Sequence, residues 1–513
     1  MEAGICAPSA AAENFTKTND VLSPVHRAIY QQEFSMVKSR LANIRRDILE
    51  ASEKMRILQE EESRLVSYSQ TYTKILHPIR DVPDEILREI FLACIERMGS
   101  VVSLRDLETD HDSLDPRNAP WTLGQVCRRW RQVTLSAPSL WTSVQFAIPG
   151  PDSPSQTIGA MTSQLASCLR RSGSLPLTIV VRSNRPTNPH HPLLSVLYSH
   201  CSRWAAVRFQ LIINDLSVFS AMSSIIKADT PILHTVDLRL DGSLPDDGVI
   251  DAFEFAPLKR VNLYYKLEGI GKGITLKMPW TQVERFHRLT PDGNEIAVTS
   301  EPLPQMFNLT HFQDHLRTCN PVTEVRLPFL RTLILMPKPK TAPWGPGTSL
   351  DCIRPGRQLR DLRVSGSALP SLPGFLARSG STVETLTFPD KAGVDVDISQ
   401  ILGYVPAVTS LYIATPRQGL IQCLTQCDAN GQPIFVPRLR SLNFCNTNPL
   451  DEKEFLKMVS ARLAMVPPLC VLTFLKDTFS AETQMKLALF KIQGLQVHTH
   501  RDANAWVRAV PRN

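Results

Sequence analysis

Short apolar runs recur along this chain at a nearly constant interval, and that recurrence constrains its fold more than any other feature. LHTVDLRL (233–240), LKRVNLYY (258–265), VERFHRLT (283–290), LTHFQ (309–313), LRTLILMP (330–337), LRDLRVSG (359–366), VETLTFPD (383–390), VTSLYIAT (408–415) and LRSLNFCN (439–446) start 25, 25, 26, 21, 29, 24, 25 and 31 residues apart. LPLTIVVR (175–182) and AAVRFQLII (205–213) precede the series and CVLTFLK (470–476) follows it. Alternate residues in most of them are apolar, the pattern of a strand with one buried face. Helical stretches lie between the later runs at 372–380, 398–405, 419–427, 451–464 and 481–493, many ending at or near Gly or Pro.

Strand, turn, helix and turn at this period predict a right-handed solenoid over about 165–500 with one parallel sheet. An L-x-x-L-x-L strand at such a spacing is the mark of a leucine-rich repeat. The alternative is a doubly wound α/β sheet, which needs longer helices between strands this regular. Either way the chain is mainly α/β, and 513 residues exceed what a single compact core holds. Proline suits many short elements: 39 prolines against 23 glycines imply stiff turns and oppose long central antiparallel strands.

Ahead of the repeats, residues 27–76 contain neither Gly nor Pro and predict one long amphipathic helix, 27–77, closed by His77-Pro78. Phe34, Val37, Leu41, Ile44, Ile48, Ala51, Met55, Leu58, Leu65 and Tyr72 step by three and four, a heptad seam that Glu62 and Ser69 interrupt. This helix pairs with a second copy or a partner through 34–72, or lies back on the domain that follows. Residues 1–26 are expected to be disordered and 501–513 to form a tail. No basic residue precedes the first apolar stretch and no 18 apolar residues run together, which argues against a secretory signal and a membrane span. Eleven cysteines without a C-x-x-C read as free thiols, so the cytoplasm or nucleus is expected, with the sequons at Asn14 and Asn308 incidental.

Between helix and repeats lies IRDVPDEILREIFLACI (79–95), then a charge-rich insert at about 99–120, then WTLGQVCRRWRQVTLSAPSLWTSV (121–144). Pro83 suits a first helical turn, and Asp84 and Glu85 sit where the helix dipole favours negative charge. Ile86, Leu87, Ile90, Phe91, Cys94 and Ile95 form one apolar stripe; Leu123, Val126, Cys127, Trp130 and Val133 form a second. Helices this short cannot bury both stripes among themselves, so some apolar surface meets another domain or chain.

The two halves, Val82-Pro83-Asp84-Glu85-Ile86-Leu87 through Ile90-Phe91, and Val126-Cys127-Arg128-Arg129-Trp130-Arg131 through Pro138-Ser139-Leu140-Trp141, resemble the F-box. Val82 departs from the usual leucine, and the insert lengthens the middle of an all-α module spanning 78–146. The long helix ending in Leu76-His77-Pro78-Ile79-Arg80 and the insert resemble the large F-box family of mushroom-forming fungi; the uneven repeats resemble those of F-box substrate receptors. The resemblance implies docking on a Skp-type adaptor of a cullin-RING ubiquitin ligase. Adaptor contacts would then fall to Pro83, Ile86, Leu87, Ile90, Phe91, Leu123, Val126 and Trp130, unless Trp130, like Trp141, is internal packing.

Chemistry finds little support. GIGKG (269–273) lacks the K-[ST] of a phosphate loop. His311, His315 and Cys319 would share a helical face without a fourth ligand, and His498 and His500 one side of a terminal strand. No catalytic constellation, metal site or cofactor is expected, and the chain reads as a binding protein. The net charge of +7 calls for neither nucleic acid nor a membrane; the excess of cations after residue 145 mildly favours an acidic protein target. Period-two alternation puts Arg239, Asn262, Tyr264, Arg363, Thr387, Tyr412 and Asn443 on the sheet face offered to that target.

Overall fold

A computed structural model describes residues 10–18, 20–95, 112–227, 229–243, 248–268, 274–289, 302–315, 324–336, 349–364, 371–379, 383–388, 398–413, 418–444, 451–475 and 479–500. Most of the insert, GIGKG, Cys319 and the expected tail therefore lie outside the described residues. The chain divides into two units, 1–87 and 88–513.

The first unit holds α1 (Ala10–Phe15) and the 52-residue α2 (Pro24–Ile75). Helix α2 starts three residues earlier than the composition suggested. Ser23 caps it, accepting from the His26 N–H, and Pro24 fits the first turn because its missing N–H has no partner there. The stretch expected to be disordered carries α1, whose Phe15 ring lies 6.2 Å from both His26 and Tyr30. No side chain of α2 is buried, so its seam stands exposed along its length.

Helix α3 (Asp84–Cys94) crosses between the units. The second unit continues with α4 (Leu123–Val126), α5 (Arg128–Ser136) and the 3-10 turn Pro138–Trp141. Its strands are β1 (Ser143–Ala147), β2 (Leu177–Pro186), β3 (Trp204–Ile213), β4 (Thr235–Ser243), β5 (Gly248–Ile250), β6 (Arg260–Glu268), β7 (Ile274–Leu276), β8 (Arg285–Leu289), β9 (His311–His315), β10 (Val325–Leu327), β11 (Thr332–Met336), β12 (Ile353–Pro355), β13 (Asp361–Val364), β14 (Thr385–Phe388), β15 (Ser410–Ile413), β16 (Ser441–Phe444), β17 (Val471–Leu475) and β18 (Gln496–His500). Helices α6 (Ser155–Arg171), α7 (Pro192–Tyr198), α8 (Ser217–Ile226), α9 (Ser349–Cys352), α10 (Leu372–Ser379), α11 (Ile398–Gly403), α12 (Gln418–Thr425), α13 (Glu452–Leu463) and α14 (Ala481–Ile492) alternate with them.

Fourteen strands form one sheet in the order β1-β2-β3-β4-β6-β8-β9-β11-β13-β14-β15-β16-β17-β18, and every pairing is parallel. Each strand is added on the same side as the last. A doubly wound sheet reverses direction at a switch point, where its ligand binds; this sheet has no reversal and so no such crevice. The arrangement is solenoid-like and mixed α/β. Its first strand begins at Ser143, ahead of the expected start near 165, because the chain enters the sheet directly from the Pro138–Trp141 turn.

Register shows what holds the array together. One residue per strand lines up as Val144, Ile179, Val207, Val236, Val261, Phe286, Phe312, Leu333, Leu362, Leu386, Leu411, Leu442, Leu472 and Val497. The first thirteen are buried, each contributing roughly 1.5–3 kcal/mol of transfer free energy. The neighbouring core row is also apolar except at Arg288 and Asp314, a buried ion pair between β8 and β9. Between α8 and α9 the helices give way to 3-10 turns and to two small parallel pairs, β5 with β7 and β10 with β12. His311 and His315 lie on β9, so the helical face once imagined for them is a strand edge-on to the sheet.

Candidate functional site

Two places gather polar or exposed apolar side chains in ways the core does not require. The first is the helical segment before β1. Pro83 precedes α3, and its carbonyl accepts the first helical bond from the Leu87 N–H at 2.9 Å. Along α3, Leu87 and Phe91 are fully buried, whereas Ile86 and Ile90 are 51% and 39% exposed. One turn apart, those isoleucines share a helix face that meets water. In the second unit Trp130 packs on Phe91 with ring centroids 4.8 Å apart and is half-buried. Leu123 is buried, and Val126 is 61% exposed. The eight residues implied as adaptor contacts thus divide: Leu87, Phe91 and Leu123 hold the module together, while Pro83, Ile86, Ile90 and Val126 face outward.

The second half of the module is tied into the sheet. Cys127 Sγ accepts from the Trp130 N–H to start α5, and Arg131 Nε donates to the Gly124 carbonyl at 2.9 Å. Trp141 is buried; its indole N–H donates to the Thr134 carbonyl at 3.0 Å, and its ring meets Trp121 edge-on at 5.0 Å. The Arg171 guanidinium from α6 lies over both rings, 4.7 and 4.5 Å from their centroids. Ser113 exchanges two hydrogen bonds with Gln145 of β1: its N–H donates at 2.7 Å and its hydroxyl accepts at 3.0 Å. Trp141 is therefore internal, and the described end of the insert, 112–122, braces the first strand.

The second place is the polar face of the sheet. The seven residues proposed there all lie on it, in two groups. Arg239 pairs in register with Tyr264, two residues from Asn262. Arg363, Thr387, Tyr412 and Asn443 form an unbroken row over β13–β16. None is exposed: Arg239, Asn262, Thr387 and Asn443 are buried, and Tyr264, Arg363 and Tyr412 are half-buried. Parallel strands about 4.8 Å apart stack like side chains closely enough to cover the short ones. Several are also engaged locally. Asp237 accepts from Arg208 Nε at 2.8 Å and Arg239 Nε at 3.4 Å, Arg363 grips Asp361 at 2.8 Å, and Asn443 donates to Ser441 at 2.9 Å.

Sequence reasoning missed a group on the same face. Arg260, Arg285 and His311 align across β6, β8 and β9, with Asn262, His287 and Gln313 aligned two residues further along. Burial pushes both imidazoles down to about 4, helped for His287 by Arg260, His311 and Arg285, and for His311 by Arg285, Arg260 and Arg331. The signal was present: Arg260-Val261-Asn262, Arg285-Phe286-His287 and His311-Phe312-Gln313 repeat at intervals of 25 and 26 residues. Among the described residues no group of His, Cys, Asp and Glu could hold a metal ion, and no helix is long and apolar enough to cross a membrane.

Comparison with known protein families matches residues 79–147 to the F-box-like domain, covering α3 through β1. The chain therefore carries an F-box-like domain, fused without a break to the parallel sheet. No curated protein matches the chain.

Proposed function

We propose that this chain is the substrate-receptor subunit of a cullin-RING ubiquitin ligase, its F-box-like domain docking on a Skp-type adaptor and its sheet capturing a target protein. The observation that carries the reading is the F-box-like match at 79–147 together with the exposed Ile86–Ile90 face of α3 inside it. Apolar side chains one turn apart and open to water are what a partner would cover. The sheet is read as an irregular leucine-rich-repeat array, akin to those of the large fungal F-box family. The chain itself supplies binding and proximity, and the transfer chemistry belongs to other subunits. Eight cysteines are free, which suits the cytoplasm or nucleus.

Co-expression with a Skp-type adaptor, followed by affinity capture, tests this. Ile86→Asp with Ile90→Asp places two charges on an exposed face and is expected to reduce captured adaptor at least tenfold while leaving the thermal transition in place. Leu87→Asp is a poorer test, because Leu87 is fully buried and a carboxylate there would unfold the helix pair. Undiminished capture by the double variant would dismiss the receptor reading. Adaptor-bound chain that never joins a cullin would favour a non-ligase scaffold instead.

A further inference from the structure

Arg260, Arg285 and His311 stand side by side on three adjacent parallel strands, at the ladder spacing of about 4.8 Å. All three are half-buried on the polar face of the sheet. Two residues along the same strands, and on the same face, lie Asn262 and His287. Nearby carboxylates are committed elsewhere: Asp237 to Arg208 and Arg239, Glu284 to Lys259, and Asp361 to Arg363. Among the described residues, neither Arg260 nor Arg285 has an ion-pair partner. Cations gathered without a counter-charge repel one another, and a fold tolerates that at a cost.

Asn262 adds an independent observation. It is only 1% exposed, yet neither its amide nitrogen nor its carbonyl oxygen has a hydrogen-bond partner. A buried carboxamide left so costs roughly 1–3 kcal/mol per lost partner, which the core does not require, since Asn262 lies on the face opposite Val261 and Leu263. An oxyanion seated between the arginines would accept from its N–H.

We infer that Arg260, Arg285, Asn262, His287 and His311 form a binding site for a phosphate monoester, carried by a phosphorylated segment of a partner protein. The choice of phosphate over carboxylate follows from the donor count. A carboxylate has two oxygens and is saturated by one guanidinium fork, whereas a phosphate monoester presents three oxygens and two charges to two forks and a carboxamide. The inference deepens the target-capture reading of the sheet and rests on it for the identity of the partner as a protein.

The test uses the full chain and two fluorescent probes of one sequence, Gly-Ala-phosphoserine-Ala-Gly and Gly-Ala-Glu-Ala-Gly, followed by anisotropy at constant ionic strength. The phosphopeptide is expected to bind saturably and at least tenfold more tightly than the glutamate peptide, with inorganic phosphate competing. Arg260→Gln with Arg285→Gln should weaken it at least tenfold, and Asn262→Leu, which removes the amide donor but keeps the volume, several-fold. Circular dichroism confirms that the variants remain folded, and a matching Arg440→Gln control away from the site should bind as the parent does. Equal binding of both peptides, or binding indifferent to the double substitution, would overturn the inference. Neither readout involves the adaptor, so loss of adaptor capture with phosphopeptide binding intact would remove the receptor reading alone.

Discussion

Arg462 of α13 is a buried cation with no carboxylate beside it, and replacing it measures what backbone carbonyls gain from a guanidinium. It is 2% exposed and donates to the carbonyls of Leu424 at 2.8 Å, Val436 at 3.0 Å and Phe435 at 2.8 Å. Burial lowers its pKa to about 10, so the group folds charged at neutral pH at the expense of lost hydration. The three bonds clamp the C-terminus of α12 to a loop in which Val436 adopts a φ of 42°, a left-handed conformation that costs a β-branched residue about 1–3 kcal/mol.

Arg462→Met keeps the helix propensity and most of the volume but removes all five donors. The Val436 carbonyl retains the Leu439 N–H at 3.1 Å, and the half-buried Phe435 carbonyl can turn to water. The Leu424 carbonyl is left buried without a donor, at about 1–3 kcal/mol. Adding about 1 kcal/mol for each weakened partner and returning part of the guanidinium desolvation gives a net loss of about 3 kcal/mol. In a repeat array such a loss is felt first where it occurs. Hydrogen exchange of peptides covering 420–444 should therefore accelerate by about a hundredfold, at 1.4 kcal/mol per decade, while β1–β4 exchange unchanged. Arg462→Lys, a point charge that satisfies one carbonyl well, should fall between. Acceleration below about fivefold in the Met variant would refute the clamp.

Two further outcomes follow. His287 and His311 have folded pKa values near 4 against about 6.5 unfolded, so from pH 6.5 down to 4 the unfolded chain binds more protons. Their contribution is complete above 6.5 and is lost as pH falls through 4. Thermal unfolding between those values should show that slope, and His287→Gln should flatten it. An unchanged slope would assign the acid sensitivity to other groups. If α2 pairs with a second copy, the parent chain should sediment as a dimer at micromolar concentration, and Leu41→Asp with Ile48→Asp should return it to monomer; a monomeric parent dismisses self-pairing.

The strands were legible because leucine at alternate positions every 25 residues or so is a pattern only a parallel stack satisfies, and the five later helices were bounded by Gly, Pro and capping residues. Asp451 and Ser480, for example, cap α13 and α14 within a residue of the expected starts. The middle of the array was less legible. Between 244 and 348 the connections are 3-10 turns and two-stranded pairs, too short to carry a helical period. Side-chain exposure was not legible at all. Alternation put Asn262, Thr387 and Asn443 on the polar face, but only register reveals that stacked neighbours bury them. The same register turns Arg260, Arg285 and His311 from three distant residues into one row.

A docking domain and a capture surface joined by a flexible linker would sample many mutual orientations. Here the last residues of the F-box-like domain, 143–147, are themselves the first strand of the sheet. Only the Pro138–Trp141 turn separates α5 from β1, and Trp141, Leu140 and Val144 are all buried. The Trp121–Arg171–Trp141 stack and the Ser113–Gln145 bonds then close the junction from both sides. On the receptor reading, position along the array becomes distance from the adaptor. The Arg260–Arg285–His311 row begins four ladder steps from β1, so a phosphate held there lies about 19 Å from the edge strand along the sheet. A target anchored at that point is offered at a nearly fixed position, and effective concentration gained by orientation is what a subunit without chemistry of its own contributes to transfer.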